Sequence, residues 1–157
     1  PFLAGMIGVP LGGYLSDYLI KKKGFEPIKA RKTIIIFAVV LAAIVIAPIA
    51  YVKSANVSVV LLTAGFLFSS MPNGVVWTLV TDVAPQKLVG SLGAMQNFAG
   101  YLGGSIAPIV TGIIYSKTAS FKLVFLVAST MLIISAIIYG VFLKDKIEIE
   151  DKVELQA

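Results

Sequence analysis

The sequence predicts an all-α membrane protein, and three observations lead to that fold class. Of the 157 residues, 58% are hydrophobic and 13% are charged, whereas soluble domains average about 45–50% apolar and about 25% charged residues. Four uncharged apolar runs are each long enough to cross a bilayer core of about 30 Å as a helix. No segment alternates apolar and polar residues as a transmembrane strand does, so the spans are expected to be helices.

The apolar runs place the predicted spans in order along the chain. Residues 1–143 are expected to form the transmembrane region, with a partial helix at 1–16, full spans at about 33–52, 57–81, 88–116 and 123–143, and a polar tail at 144–157. Pro1 begins inside an apolar segment with no initiator Met, basic leader or cleavage site. We therefore expect the chain to be the C-terminal portion of a longer protein.

The cations predict the orientation of the chain in the membrane. Ten of the thirteen Lys and Arg residues fall on one side of the predicted topology, and three, Lys53, Lys117 and Lys122, fall on the other. The positive-inside rule therefore places the loop 17–32 and the C-terminus on the cytoplasmic side of the membrane. The membrane is expected to be the plasma (inner) membrane. Because the cations flank apolar runs, they do not form the basic stripe of a nucleic-acid-binding protein, and no nucleic-acid partner is predicted.

The residue types that are missing exclude several kinds of chemistry. The sequence contains no Cys and no His, so it has no thiolate, no disulfide and no neutral-pH imidazole acid or base. The acids all lie near predicted helix ends or in the tail. No metal site and no cofactor are predicted, and a membrane enzyme or receptor is disfavoured because no catalytic cluster is present. A channel is disfavoured because there is neither a charged ring nor a carbonyl filter loop.

A glycine face and an acid precede the basic segment. Gly5, Gly8 and Gly12 lie three or four residues apart, so they share one helix face and allow a neighbouring helix to approach closely. We expect this helix to end at Asp17 and a basic loop to follow as far as Lys32. This loop could be an ordinary cytoplasmic loop, although that reading does not account for the spacing of its glycine and its acid.

The spacing Gly13-x-x-x-Asp17, followed by Arg31, resembles the cytoplasmic loop signature of the major facilitator superfamily. In that family the acid caps a neighbouring helix end or pairs with a basic residue, and the contact holds one conformation of the gate. The resemblance implies a gating role for Asp17. Arg31 is the first choice for its partner, because a guanidinium can bind a carboxylate with two hydrogen bonds.

A polar stripe lies in the span 57–81. Asn73, Trp77 and Thr81 are four residues apart and share a helix face. Pro72 is expected to weaken the helix near the middle of the span, where a freed carbonyl could face a cavity. Trp77 is either an interfacial anchor or a cavity residue. Asn73 either forms a hydrogen bond to another helix or contacts a ligand.

A second stripe, of small and polar residues, runs along the span 88–116. It contains Gly93, Asn97, Gly104 and Pro108. A helix facing lipid would not favour such a surface, whereas a helix lining the interior of a bundle would. The stripe therefore indicates either tight packing around buried amides or contact with a substrate.

The two stripes together resemble the last helices of the anion:cation symporter family, a major facilitator branch that includes bacterial sugar-acid carriers. The residues that carry the resemblance are Trp77-Thr78, Asp82-x-x-Pro85, Gly90, Asn97-Phe98, Gly103-Gly104, Pro108 and Gly112. The resemblance implies a twelve-helix fold, in which this chain runs from the end of helix eight through helix twelve. It also implies that Trp77 and Asn97 contact the substrate. Asn73 and Thr78 are further candidates for residues that bind the substrate.

The resemblance implies a secondary active transporter for a small organic anion, with a sugar acid as the expected substrate. The transporter is expected to work by alternating access and to be coupled to a proton or another cation. The transporter is expected to be embedded in the lipid bilayer. The alternative is a major facilitator carrier of another branch, for a phosphate ester, a sugar or a drug, and a membrane protein without transport activity is disfavoured.

Overall fold

The computed structural model describes residues 2–143, all of whose regular elements are helices. The helices are α1 (Phe2–Lys23), α2 (Pro27–Ile46), α3 (Ala55–Ser70), α4 (Asn73–Val83), α5 (Val89–Thr118) and α6 (Lys122–Phe142), with short 3-10 helices at Ala47–Ala50 and Gln86–Leu88. Five helical segments in this range are long and apolar enough to cross a membrane: Phe2–Lys23, Pro27–Ala50, Ala55–Val83, Gln86–Thr118 and Lys122–Phe142. The predicted all-α membrane class is confirmed, and the polar tail at 144–157 lies outside the described residues.

The first helix ends later, and the second helix begins earlier, than the apolar runs predicted. The segment 17–32 is helical except for residues 24–26, so the prediction that α1 ends at Asp17 is wrong. Lysines 21–23 occupy the last turn of α1, where positive charge is favourable near the helix C-terminus. Gly24 then adopts a positive φ of 69°, and Pro27 takes the first position of α2.

Contacts at both ends of the bundle show how the helices alternate in direction. At one end, the Lys32 ammonium near the start of α2 donates a hydrogen bond to the Leu143 carbonyl after α6, at 2.7 Å. At the other end, the Lys122 ammonium at the start of α6 lies 4.5 Å from the centre of the Tyr51 ring, after α2. The end that carries Lys32 is called the basic end below.

The tightest helix contact joins the glycine face of α1 to α3 and α4. A β-carbon at Gly8 would overlap the Leu67 carbonyl oxygen, and one at Gly12 would overlap the Met71 carbonyl oxygen. The break between α3 and α4 at residues 71–72 lies beside this contact, as expected from Pro72, which has no N–H to continue the helix. The glycine face of α1 therefore packs directly beside the α3–α4 break.

Replacing Gly12 by Ala is expected to lower the free energy of unfolding by about 1–3 kcal/mol, because the added methyl group forces α1 away from Met71. Gly13→Ala is the matched control. A β-carbon there would lie 3.6 Å from the Gly74 carbonyl oxygen, which is an ordinary contact, and Ala favours a helix by about 1 kcal/mol over Gly. Thermal unfolding of both variants in detergent tests this, and equal losses of stability would contradict it.

The apolar core lies between α2 and α4. Ile34, Ile35, Val75 and Leu79 are buried together, and partly buried apolar side chains surround them. By contrast, Gly93 is the buried residue of α5 among the described residues, and most other α5 side chains are exposed. The core therefore fixes α4 firmly against α2, with one face of α4 left for α5.

Candidate substrate site and ion-pair cluster

Arg31 joins three helices at the basic end. Its side chain is only 11% exposed. Its Nε donates to a carboxylate oxygen of Asp82 at the end of α4, and its Nη1 donates to the Ser16 hydroxyl of α1 at 3.2 Å. The same Nη1 lies 3.6 Å from a carboxylate oxygen of Asp17. One guanidinium therefore ties α1 and α4 to α2 through two hydrogen bonds and one longer ion pair.

The structure brings the predicted gating residues Asp17 and Arg31 together, but it gives Arg31 a closer partner. Asp17 is 53% exposed and lies at 3.6 Å, whereas Asp82 is 25% exposed and accepts directly from Nε. A solvated pair contributes little, while a shielded, hydrogen-bonded pair contributes more. Sequence reasoning did not identify Asp82 as a partner. The clue was a carboxylate at the end of an apolar span, on the same membrane side as Arg31.

The candidate substrate residue Trp77 lies where α4 meets α5. Its side chain is 53% exposed, and one edge of the indole packs on α5. A β-carbon at Gly93 would lie 3.8 Å from the Trp77 Cζ3 atom. The absence of a side chain at Gly93 therefore leaves room for the indole, and the remaining indole surface is free to line a space beside the two helices.

The two asparagines continue this surface. Asn73 lies one turn before Trp77, and Asn97 lies one turn after Gly93. Because α4 and α5 run in opposite directions from the Trp77–Gly93 contact, these turns point toward the same end of the bundle. Both asparagine side chains are exposed. Within residues 2–143, no side-chain hydrogen bond joins Asn73 to Asn97.

The hydroxyl group of Thr78 is committed to its own helix. It donates to the Val75 carbonyl at 2.7 Å, which leaves the oxygen available only as an acceptor. The two residues before Trp77 point elsewhere: Val75 is fully buried in the core, and Val76 packs against it. Asn73 and Trp77 are therefore the exposed candidates on α4, whereas Val75 is part of the core.

A cavity of about 380 Å³ lies between α4, α5 and α6, nearer the basic end. It is lined by Leu79, Val80, Val83, Leu92, Met95, Gln96, Tyr139 and Leu143. Gln96 therefore faces α4 and α6, whereas its neighbour Asn97 is exposed. Across residues 2–143, no group of three His, Cys, Asp or Glu side chains could hold a metal ion.

Comparison with known proteins identifies the family. Residues 1–108 match the family described as Major Facilitator Superfamily. The chain is 32% identical over 137 residues to the probable sulfoacetate transporter of Cupriavidus necator, covering 87% of this chain and 31% of that protein. It is 28% identical over 138 residues to the hexuronate transporter of Bacillus subtilis, covering 87% and 33% respectively.

A third relative, the D-galactonate transporter of Escherichia coli, is 37% identical over 112 residues, which cover 71% of this chain and 25% of that protein. The chain thus spans a third or less of the length of these three relatives. Their names agree with the resemblance to organic-anion carriers found in the sequence. The family match and the apolar helices together show a multi-pass membrane protein, and the chain belongs to the Major Facilitator Superfamily.

Proposed function

We propose that this chain belongs to a secondary active transporter that moves a small organic anion, with a sugar acid as its substrate. The observation that supports the proposal is the packing of Trp77 on Gly93, through which the polar stripe of α4 meets the small-residue stripe of α5. Trp77 offers an aromatic wall and one N–H donor to a hydroxylated ligand. Asn97 offers an amide that both donates and accepts. The names of the hexuronate and D-galactonate relatives support the same substrate class.

In this proposal the five membrane-spanning segments correspond to helices eight to twelve of a twelve-helix fold, and two six-helix halves rock around a site at the bilayer midplane. The transport is coupled to protons. Among residues 2–143 the acids are Asp17 in the last two turns of α1, Glu26 in the turn before α2 and Asp82 in the last turn of α4, and all lie toward the basic end. A coupling carboxylate and a cation that binds the substrate carboxylate are therefore expected elsewhere in the protein.

We assign the gate to the Arg31 cluster. The cluster joins α1, α2 and α4 at one end of the bundle, and α4 also carries Trp77. Because Asp17 is half exposed and lies beside the Arg31 guanidinium toward the basic end, its charge is tolerated there. Asp17 is therefore a gating acid and not a substrate ligand, with Asp82 as a second acid on the same guanidinium.

Uptake by the intact protein in proteoliposomes tests the proposed function. We expect an inward proton gradient to drive uptake of radiolabelled galactonate or glucuronate. The neutral sugars galactose and glucose are expected not to compete, because they lack the carboxylate. Uptake of the neutral sugars with no uptake of either sugar acid would overturn the substrate class. Uptake that ignores the pH gradient would overturn the proton coupling alone.

A short sulfonate is the second candidate substrate. The relative from Cupriavidus necator is named for sulfoacetate, which is an organic anion without a sugar skeleton. In addition, the positions before Trp77 present Gly74, Val75 and Val76 instead of hydroxyl groups, so α4 offers few partners for a polyhydroxylated chain. Inhibition of the same uptake by unlabelled sulfoacetate and by unlabelled galactonate decides between the two candidates. The true substrate should inhibit the uptake at the lower concentration.

We also propose that the basic end faces the cytoplasm, because ten cations lie on that side and three on the other. Lys22 and Lys53 are both exposed and lie near opposite ends of the bundle. In a cysteine-free background, an impermeant thiol reagent added to intact cells should label Lys53→Cys and leave Lys22→Cys unlabelled until the membrane is permeabilised. The reverse pattern would invert the topology.

A further inference from the structure

A surface cavity of about 580 Å³ lies at the basic end, apart from the candidate substrate surface. It is lined by Gly24, Phe25, Glu26, Lys29, Lys32, Thr33 and Ile36. These residues come from the turn between α1 and α2 and from one face of the first three turns of α2. The part of the cavity nearest the turn is built from charged and backbone groups and is called the upper part. The part farther along α2 is built from Thr33 and Ile36 and is called the lower part.

The lower part of the cavity continues into a largely apolar surface of α2 that is exposed among residues 2–143. Exposed side chains recur along α2 at Thr33, Phe37 and Ile44, which are spaced as one helix face. Phe37 and Ile44 are more than half exposed, and they lie within an apolar span that has the length to cross a membrane. A molecule that occupies the cavity can therefore extend an acyl chain along α2 without leaving the hydrocarbon region.

The upper part of the cavity favours an anion. Lys32 donates one of its three N–H groups to the Leu143 carbonyl, so two remain for a ligand. Lys29 lies 2.7 Å from Glu26, but both side chains are about two-thirds exposed, and such a pair is easily exchanged for a stronger partner. Lysines 21–23 of α1 come directly before the turn. Among residues 2–143, the cations around the cavity thus outnumber the one carboxylate that lines it.

We propose that this cavity binds the phosphate headgroup of an anionic phospholipid, with Lys29 and Lys32 as the cationic ligands and an acyl chain lying over Ile36 and Phe37. A soluble anion would use the cations but gain nothing from the apolar stripe, whereas a phospholipid uses both. The depth of the site also fits, because lysines at the ends of membrane helices lie at the level of the lipid headgroups.

Native mass spectrometry of the intact protein released from nanodiscs tests the site. We expect more retained phosphatidylglycerol than phosphatidylcholine. Lys29→Gln should weaken phosphatidylglycerol binding about fivefold, the effect of one lysine near an anionic surface. Glu26→Gln should strengthen it, because it removes the one carboxylate of the cavity. Both side chains are exposed, so neither change is expected to disturb the fold.

Lys87→Gln is the matched control, since Lys87 is an exposed lysine at the same end, on the turn before α5, and does not line the cavity. An equal loss in Lys87→Gln would show general attraction by positive charge and no site. If phosphatidylethanolamine is retained more strongly than phosphatidylglycerol, and Glu26→Gln weakens that retention, the ligand is a zwitterionic lipid and not an anionic one. Inorganic phosphate binding as tightly as phosphatidylglycerol would exclude a role for the acyl chain. Each of these results overturns the proposal.

Discussion

Asp82→Asn is expected to destabilise the protein by about 2 kcal/mol and to slow transport. The variant leaves the Arg31 guanidinium, which is 11% exposed, without its closest carboxylate. Removing one partner of a buried ion pair costs about 3–5 kcal/mol. The smaller value expected here reflects the partial exposure of Asp82 and the carbonyl oxygen that Asn keeps as an acceptor for the Arg31 Nε.

Asp17→Asn is the comparison for this prediction. Asp17 is 53% exposed and lies farther from Arg31, so its loss should cost less than about 1 kcal/mol of stability. If Asp17 is a gating acid, the Asp17→Asn variant should still slow transport. Its equilibrium affinity for the substrate should stay within a few-fold of that of the unsubstituted protein. Thermal unfolding, uptake rates and calorimetry on the purified variants give the three quantities. A larger loss of stability in Asp17→Asn than in Asp82→Asn would contradict the prediction that Asp82 is the stronger partner of Arg31.

Asn97→Ala is expected to weaken substrate binding by about 2- to 150-fold. The range follows from the loss of one or two neutral hydrogen bonds at about 0.5–1.5 kcal/mol each. Trp77→Phe should cost less than Trp77→Ala, because Phe keeps the aromatic wall and loses only the N–H donor. Since both side chains are exposed in the described part of the chain, neither change removes a buried group from the core.

Calorimetry on the folded fraction of the intact protein separates binding from packing. If Asn97 and Trp77 only pack against other helices, the variants will give less folded protein, and the surviving molecules will bind with unchanged affinity. Thr111→Ala provides a control on α5, because Thr111 lies almost four turns beyond Asn97 and is expected to leave the affinity unchanged. Unchanged affinity in Asn97→Ala would remove this residue from the site.

The sequence predicted those features that depend on local pattern. Apolar length gave the number and order of the membrane spans. The three-to-four spacing of Gly5, Gly8 and Gly12 gave a face for close packing, and these glycines do pack against α3 and the residues that follow it. Pro72 marked the place where the span 57–81 breaks. Each of these depends only on residues within a few helical turns of one another.

The features that the sequence did not predict depend on how distant segments meet. Arg31 and Asp82 are 51 residues apart, and their contact follows from the way α4 packs against α1 and α2. The end of α1 was placed too early because apolar length marks the hydrocarbon boundary, whereas the helix itself continues through polar residues to Gly24. Only the positive φ of Gly24 ends it.

Two of the ion pairs at the basic end, Lys29–Glu26 and Arg31–Asp82, differ in their exposure to dissolved ions and are expected to respond differently to salt. At physiological ionic strength, charges in water are screened beyond about 8 Å, whereas shielded pairs are affected much less. The Lys29–Glu26 pair is about two-thirds exposed on both sides, while Arg31 and Asp82 are 11% and 25% exposed. A rise in salt concentration should therefore weaken the Lys29–Glu26 pair and leave the Arg31–Asp82 link between α2 and α4 intact.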